Sequence, residues 1–352
     1  MNKTKIIATV GPSCAKKEVL QKMIDNGVSC FRINMSHGSK DSKKKYFDLI
    51  KSLITPSGQR PTILADLAGP KIRVDELEDS IKIKEGDLLK ISNENYGQGI
   101  VPVSKGIKFK KVNPGAKILI DDGRISLNVI EHITDRTLQC EASGSGIIES
   151  KKGVNFPDID LNVPVLTNQD LKDLELSLDN GADWIAMSFV KSHSDYQILN
   201  EKIKSFGYNT PIMAKIEKWD AVQDLDKIIE AFDSVMVARG DLGVELPLAR
   251  VPLIQKNVIE RANNAGKPVV IATQILDSMT QRTVPTRAEV SDIANAIFDG
   301  TDALMVTGET AVGKYPNRVI KVLSGVIKET EGSARASMKI NEFQDLNINT
   351  AR

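Results

Sequence analysis

The chain is poor in several features that mark particular classes of protein. It has three cysteines in 352 residues, Cys14, Cys30 and Cys140, and no CxxC pair, so neither a disulfide framework nor a zinc site is expected. No apolar run is long enough to cross a bilayer, and the first residues are not apolar enough for a signal peptide. The net charge of +1 gives no general attraction to nucleic acids or membranes. We therefore expect a cytoplasmic protein with neither kind of partner.

Eight short apolar runs give the chain its main pattern, and most are separated by amphipathic stretches of helical period. Several of these stretches end in glycine, which suits a helix C-cap before the next strand. Strands that are apolar along their whole length are buried on both faces, as in a parallel sheet. The pattern predicts an α/β fold, a (β/α)₈ TIM barrel, with a doubly wound open sheet as the alternative. The runs lie at 5–11, 29–36, 62–67, 183–190, 211–217, 234–240, 268–273 and 303–309.

One interval of the chain does not follow this alternation of apolar runs and helical stretches. Its apolar residues alternate with polar ones, and glycine, asparagine and aspartate turns separate the segments, so it predicts strands without a clear helix. We predict a small all-β domain inserted after the third barrel strand. The predicted organisation is 1–74 for the first part of the barrel (strands 1–3), 75–163 for a β-barrel-like inserted domain, 164–335 for the second part of the barrel (strands 4–8), and 336–352 for a polar tail.

Two consecutive apolar runs carry charged residues at their C-terminal ends. Lys215 and Glu217 stand two residues apart in MAKIEKWD, so on a strand they share a face. Asp241 follows Arg239 and Gly240 at the end of the next run. If the two strands are neighbours, this set could hold one divalent metal and one anionic, oxygen-rich substrate.

Polar residues also end most of the other predicted strands, and a barrel carries its active site at that end. Simpler explanations remain open for each: an Arg32–Asp66 ion pair, a buried Lys215–Glu217 salt bridge, or helix capping by Asn34 and Ser36. The placement of these polar residues at one end of the predicted barrel favours an active site, because unpaired charge in a packed interior is destabilising. The residues are Arg32, Asn34, Ser36 and His37 after strand two, Asp66, Lys71 and Arg73 after strand three, Thr273 and Gln274 after strand seven, and Thr307 and Glu309 after strand eight.

Long motifs throughout the chain resemble the pyruvate kinase family. They include TKIIATVGPS, FRINMSHG, DLAGPKIRV, IDDGRISL, KKGVNFP, IMAKIE, VARGDLGVE, IATQILDSM and PTRAEVSDIANAIFDGTDALMVTGETAVGKYP, in order from about residue 3 to about residue 330. The resemblance implies a barrel with a mobile β-domain lid. It also implies the glycolytic reaction in which phosphoenolpyruvate, ADP and a proton give pyruvate and ATP.

The resemblance assigns roles to the charged set. Glu217 and Asp241 would bind Mg²⁺, with Mn²⁺ as an alternative. Arg32 would clamp the phosphoryl group and Lys215 would neutralise its charge during transfer, which suits a reaction that depends on positioning and electrostatic stabilisation.

Further roles follow for the substrate carboxylate and for the nucleotide. The backbone of Gly240 and Asp241 would donate to the carboxylate, and the Thr273 hydroxyl would help to hold it and take part in protonating the enolate carbon. The nucleotide-phosphate and monovalent-cation side of the site would comprise Asn34, Ser36, His37 and Arg73.

The segment after strand three departs from the family's common pattern. Many members have Asp-Thr-Lys-Gly-Pro-Glu there and need K⁺, whereas this chain continues from Asp66 to Lys71 as DLAGPK. A lysine ammonium is a fixed monovalent charge. We expect Lys71, with Asn34, Ser36 and Asp66, to replace the cation, so that K⁺ is not required.

Two other departures concern nucleotide binding and assembly. Gln169 stands where the family often has a lysine for the nucleotide, and the family's usual C-terminal domain has no counterpart in these residues. We expect no activation by sugar phosphates, and a monomer or a homodimer formed through barrel faces. A metal-dependent lyase or aldolase and a non-catalytic phosphoenolpyruvate sensor remain alternatives. Nucleotide preference and physiological direction stay open.

Overall fold

A computed structural model describes residues 2–333, except 95, 96, 98, 106, 158, 160 and 162. The predicted polar tail, 336–352, lies outside the described residues, as do the last two residues of the predicted second barrel part. Within the described part of the chain, no helix is both long and apolar enough to span a bilayer.

The described residues form sixteen strands, eight of which close into a parallel barrel. Around the barrel the order is β1, β16, β15, β14, β13, β12, β3 and β2, and every neighbouring pair is parallel. The predicted TIM barrel is confirmed, and the open doubly wound sheet was the wrong alternative. The strands are β1 (Lys5–Thr9), β2 (Val28–Asn34), β3 (Thr62–Asp66), β4 (Ile81–Ile83), β5 (Leu88–Ser92), β6 (Ile100–Pro102), β7 (Lys117–Ile120), β8 (Ile125–Thr134), β9 (Thr137–Ala142), β10 (Gly146–Ile148), β11 (Val154–Asn155), β12 (Trp184–Met187), β13 (Ile212–Ile216), β14 (Ser234–Ala238), β15 (Val269–Ala272) and β16 (Ala303–Val306).

Helices alternate with the barrel strands and cover their outer faces. Two short 3₁₀ turns, Leu248–Arg250 and Asp277–Thr280, accompany them. The main core lies between this helical layer and the strands, and a smaller cluster fills the barrel interior. The helices are α1 (Lys17–Asp25), α2 (Lys40–Lys51), α3 (Asn168–Asp179), α4 (Ser194–Ser205), α5 (Trp219–Gln223), α6 (Leu225–Ala231), α7 (Arg239–Glu245), α8 (Val251–Asn264), α9 (Arg287–Asp299), α10 (Gly308–Ala311) and α11 (Pro316–Glu331).

The inserted segment between β3 and α3 folds as a small all-β domain. It contains a six-stranded sheet in the order β11-β7-β8-β9-β5-β6 and a two-stranded sheet of β10 and β4. It has its own hydrophobic core, in which Phe109 stacks on Phe156 with ring centroids 5.6 Å apart. The chain joins this domain through Arg73 and Val74, which pair with Gly153 and Val103. The lid is thus a separately packed unit whose connections to the barrel lie beside the carboxyl end of β3.

Local sequence signals account for several helix boundaries. At the start of α9, the Thr286 hydroxyl accepts the backbone N–H of Glu289, whose carboxylate in turn accepts the N–H of Thr286. The helix ends at Gly300, which has a φ of 101° and so takes the left-handed conformation that glycine adopts without steric cost.

Candidate active site

A buried carboxylate at the carboxyl end of the barrel holds two cations. Asp66 ends β3, and its Oδ2 lies 2.7 Å from Nε of Arg32 on the neighbouring strand β2. Its Oδ1 lies 3.3 Å from Nζ of Lys215 on β13. Arg32 also donates to the Thr9 hydroxyl, at 3.1 Å. The Arg32–Asp66 ion pair considered from sequence therefore exists, within a larger network that includes Lys215.

Lys215 connects this pair to a second carboxylate. Its Nζ lies 2.8 Å from Oε1 of Glu217 and donates to the Ser188 hydroxyl at 2.8 Å. The other oxygen, Oε2, accepts the backbone N–H of Phe189 at 2.9 Å. Glu217 is fully buried, yet its Oε1 accepts no hydrogen bond of acceptable geometry although the ammonium is close. One carboxylate oxygen thus keeps unused bonding capacity.

The charges in this network shift one another's protonation equilibria. Burial alone would lower the pKa of Lys215, but Asp66 and Glu217 outweigh it and raise that pKa. Burial would raise the pKa of Asp66, but Lys215 and Arg32 lower it below its usual range. For Glu217, burial prevails over the attraction of Lys215, and its pKa is raised. Lys215 therefore remains a positively charged ammonium at neutral pH. It can attract an anion bound at this end of the barrel.

Asp241 supplies a further carboxylate in the first turn of α7. Its Oδ1 lies 2.8 Å from Nζ of Lys71, which reaches over from the segment between β3 and the lid. Burial would raise the pKa of Asp241, but Lys71 and then Lys215 lower it. The Lys71 ammonium is thus paired with Asp241. Asp66 instead contacts Arg32 and Lys215, and Asn34 accepts the N–H of Ser36.

The carboxylates fit a divalent cation of the Mg²⁺ type. The described residues contain no group of three or more histidine, cysteine, aspartate or glutamate side chains placed to hold a metal unaided. Glu217 contributes a buried oxygen without a hydrogen bond, and Asp241 is an acidic neighbour whose field acts on Glu217. Mg²⁺ typically binds one or two protein carboxylates and completes its shell with water and substrate oxygens. Glu217 and Asp241 match that pattern.

The end of β15 approaches the start of α7. Thr273 has a φ of 68°, a strained conformation for a β-branched residue. Its hydroxyl accepts the backbone N–H of Gly240 at 2.8 Å and donates to the Ala272 carbonyl at 2.6 Å. Arg239 donates to the Thr273 carbonyl at 2.7 Å and so holds the strained turn. The Gly240 N–H, expected from sequence to face substrate, is here directed at Thr273.

A comparison with known sequences agrees with this geometry. Residues 1–320 match the family model described as pyruvate kinase, barrel domain. The chain belongs to the pyruvate kinase family. This confirms the family predicted from the motifs, and with it the assignment to an enzyme family of transferases.

Curated relatives from three organisms are named as pyruvate kinases. "Pyruvate kinase" of Thermotoga maritima is 44% identical over 334 residues, which cover 94% of this chain and 72% of that protein. "Pyruvate kinase" of Corynebacterium glutamicum is 40% identical over 335 residues, with coverages of 94% and 70%. "Pyruvate kinase 2" of Synechocystis sp. is 43% identical over 335 residues, and the chain spans only 57% of its length.

The residues predicted from the resemblance to lie near a nucleotide are at or after the ends of β2 and β3, at the mouth of the barrel. Asn34 Oδ1 accepts the Ser36 N–H at 3.0 Å, and its amide lies 3.2 Å from Nδ1 of His37. Burial lowers the pKa of His37, and Arg73 adds to this effect. The alternative that Asn34 and Ser36 cap the next helix is wrong, because α2 begins after Ser39, whose hydroxyl accepts the Ser42 N–H.

Arg73 and Gln169 each make a hydrogen bond within the protein. Arg73 donates to the Lys151 carbonyl at 3.0 Å on the lid side. Gln169 lies in the first turn of α3 and donates to Asp173 at 3.1 Å, and the other oxygen of Asp173 pairs with the buried Lys43 at 2.7 Å. Gln169 therefore supports a buried ion pair.

Sequence reasoning missed Ser188 and Phe189. It read them as the end of a strand, 183–190, but β12 ends at Met187 and Phe189 has a φ of 57°. The turn directs the Ser188 hydroxyl to Lys215 and the Phe189 N–H to Glu217. A polar residue directly after an apolar run was the available signal. Thr307 and Glu309 instead join neighbouring loops, since Glu309 accepts the N–H groups of Thr307 and Leu276.

Proposed function

We propose that this chain transfers the phosphoryl group of phosphoenolpyruvate to ADP and yields pyruvate and ATP, as in glycolysis. The observation that carries the proposal is the buried ammonium of Lys215, which is ion-paired with Asp66 and Glu217 and donates to the Ser188 hydroxyl, beside Arg32. Phosphoryl transfer requires mainly that the protein position the reactants and provide preorganised positive charge. This network supplies both at the end of the barrel where such enzymes act.

In the proposed reaction the bond between phosphorus and the enolate oxygen breaks, and a bond to the terminal oxygen of ADP forms. Arg32 holds the phosphoryl group, because Asp66 fixes its guanidinium while leaving further N–H donors. Lys215 stays protonated and neutralises charge as the phosphoryl group moves. The enolate carbon then takes a proton through a path that includes the Thr273 hydroxyl.

Glu217 and Asp241 would hold the divalent metal of the reaction, Mg²⁺ or alternatively Mn²⁺. A bound divalent cation would offset negative charge on the phosphoryl and carboxylate oxygens. Gly240 and Asp241 would present their backbone N–H groups to the substrate carboxylate, with Thr273 beside them. For Gly240, this requires its N–H to leave the Thr273 hydroxyl.

The nucleotide would bind on the lid side of the mouth, at Asn34, Ser36, His37 and Arg73. A lowered pKa keeps His37 a neutral hydrogen-bonding group at pH 7, so positive charge on this side comes from arginine and lysine. Gln169 is neutral and already engaged with Asp173, so we expect it to add little to the affinity for ADP.

We further propose that catalysis does not require K⁺, because Lys71 brings a permanent ammonium to the site from the segment after β3. Asn34, Ser36 and Asp66 would form the rest of that cation site. Allosteric activation by sugar phosphates is not expected. The protein would act in the cytoplasm as a monomer, or as a homodimer formed through barrel faces.

The direct test is pyruvate formation from phosphoenolpyruvate, ADP and Mg²⁺, in buffer with tetramethylammonium as the only monovalent cation and again with K⁺. Equal turnover in the two buffers supports both the kinase and the role of Lys71. Turnover only with K⁺ supports the kinase and contradicts the role of Lys71. Pyruvate and inorganic phosphate released without ATP would show hydrolysis instead of transfer to ADP, and binding without turnover points to the sensor alternative.

A further inference from the structure

The side chain of Lys71 forms an ion pair that crosses from the lid connection to the barrel. Lys71 lies in the hinge segment, defined here as residues 67–74, which leads from β3 into the lid. Its Nζ lies 2.8 Å from Oδ1 of Asp241 in the first turn of α7. In the same segment, Arg73 pairs with Gly153 of the lid. A carboxylate proposed to bind metal is therefore held by a residue of the hinge.

The lysine side chain is guided to this position by its neighbours. A Cβ atom at Gly153 would lie 2.9 Å from Cε of Lys71, so glycine lets the lysine side chain lie close against the lid backbone. On the other side, Nζ lies 5.9 Å from the ring centroid of Phe189, whose N–H donates to Glu217. The ammonium thus sits between the lid backbone and a residue that holds the second proposed metal ligand.

An ammonium at Oδ1 of Asp241 opposes the binding of a divalent metal to the same carboxylate. Mg²⁺ requires carboxylate oxygens at about 2.1 Å and tolerates little distortion of its shell. A cation already within hydrogen-bonding distance of the same carboxylate would repel the metal, and partial burial strengthens that repulsion. Asp241 should therefore bind a divalent metal less tightly while Lys71 is in contact with it.

We propose that Lys71 is a built-in competitor of the divalent metal: it neutralises Asp241 in the metal-free protein, and its ammonium lowers the affinity of Asp241 for the metal until the ammonium moves away. This proposal rests on the proposed function in one respect, the assignment of Asp241 as a metal ligand. Because Lys71 belongs to the hinge segment, metal entry changes a contact between hinge and barrel. The freed ammonium is then available to anionic ligands.

A second contact between lid and barrel does not involve the proposed metal ligands. Asn155 of the lid donates to Oε1 of Glu245 at 3.1 Å, and Lys218 pairs with the same oxygen at 3.1 Å. Glu245 is almost fully buried at the end of α7. This contact involves neither Lys71 nor Asp241, so loss of the Lys71–Asp241 pair would break only one of these two contacts.

The test is Mn²⁺ binding to the whole chain without substrates, measured from the electron paramagnetic resonance signal of free Mn²⁺. Lys71→Met should bind Mn²⁺ about tenfold more tightly than the wild type, because the competing charge is gone. Lys191→Met is the matched control, since Lys191 lines the same cavity as Lys71 and carries the same charge. It should change the affinity by less than about threefold, because a more distant charge is better screened.

Asp241→Asn separates this inference from the proposed function. If Asp241→Asn weakens Mn²⁺ binding and Lys71→Met leaves it unchanged or weaker, the competition is contradicted while the metal assignment stands. If Asp241→Asn has no effect, the metal assignment itself fails. An equal increase in Mn²⁺ affinity in Lys71→Met and Lys191→Met would show a general effect of charge and would also overturn the competition.

Discussion

Nζ of Lys215 lies 2.8 Å from Oε1 of Glu217, yet that oxygen accepts no hydrogen bond of good geometry. The contact places opposite charges together without using the full bonding capacity of the carboxylate. Burial also raises the pKa of Glu217 above its ordinary value. Glu217 is consequently a poorly satisfied group in the metal-free fold, as expected of a residue whose position serves binding.

Glu217→Gln should separate binding from stability. At neutral pH the variant should unfold with a free energy equal to or above that of the wild type, because a carboxylate with a raised pKa destabilises the fold when ionised. Lys215 would keep Asp66 and Ser188 as partners. Mn²⁺ affinity should fall at least about tenfold with the loss of one anionic ligand. Urea unfolding and Mn²⁺ titration provide the two readouts, and unchanged affinity would contradict the assignment.

Asp66→Asn should have the opposite effect on stability. The side chain is nearly isosteric, but its loss of charge leaves Arg32 and Lys215 buried with less compensation. Breaking a buried pair in this way costs about 3–5 kcal/mol. We expect a loss of that order in the free energy of unfolding, measured by chemical denaturation. Asp48→Asn, at an exposed carboxylate on α2, serves as the control, with a change within about 0.5 kcal/mol.

The Thr273 hydroxyl can be tested with a matched pair of substitutions. Thr273→Val keeps the β-branched shape but loses the hydroxyl that accepts the Gly240 N–H. Its turnover in pyruvate formation should fall about 100-fold or more if the hydroxyl takes part in proton transfer. Thr273→Ser keeps the hydroxyl and should stay within about tenfold of the wild type. Similar rates for the valine variant and the wild type would remove Thr273 from the proton path.

Glu289 gives a pH-dependent contribution to stability away from the site. Burial would raise its pKa, but hydrogen bonds from Ser278 and Thr286 outweigh burial and lower it. An acid with a lowered pKa in the folded state stabilises above the unfolded value, about 4.3, and the contribution is lost as the pH falls through the folded value. Glu289→Gln should therefore destabilise by about 1 kcal/mol at pH 7.

The difference between wild type and Glu289→Gln should shrink as the pH falls below about 4. Denaturant unfolding at pH 7, 5 and 3.5 provides the comparison. A constant difference across this range would contradict the linkage between the Glu289 carboxylate and the start of α9.

The sequence predicted the barrel and most of the charged site because both follow from local signals. Continuous apolar runs identify parallel strands, and parallel strands bring their carboxyl ends together. Arg32, Asp66 and Lys215 could thus be grouped before their distances were known. The match of long motifs then connected the group to a family.

Contacts that depend on turns and on the lid were harder to predict from the sequence. The left-handed backbone at Phe189 directs its N–H to Glu217, and the polar Ser188 beside it is the one sequence signal of such a turn in that apolar run. The partner of Lys71 depends on how the hinge segment lies against α7, which no periodic pattern encodes. Capping of α2 by Ser39 was missed because Asn34, Ser36 and Ser39 are all residue types that favour caps.

The measurement that tests the central claim most directly is phosphorus NMR of phosphoenolpyruvate, ADP and Mg²⁺ mixed with the wild type and with Lys215→Met. The wild type should convert the phosphoenolpyruvate signal into the γ-phosphate signal of ATP. Lys215→Met should bind phosphoenolpyruvate, as checked by calorimetry, but form no ATP on the same timescale. Transfer by the variant at the wild-type rate, or release of inorganic phosphate without ATP by the wild type, would contradict the account.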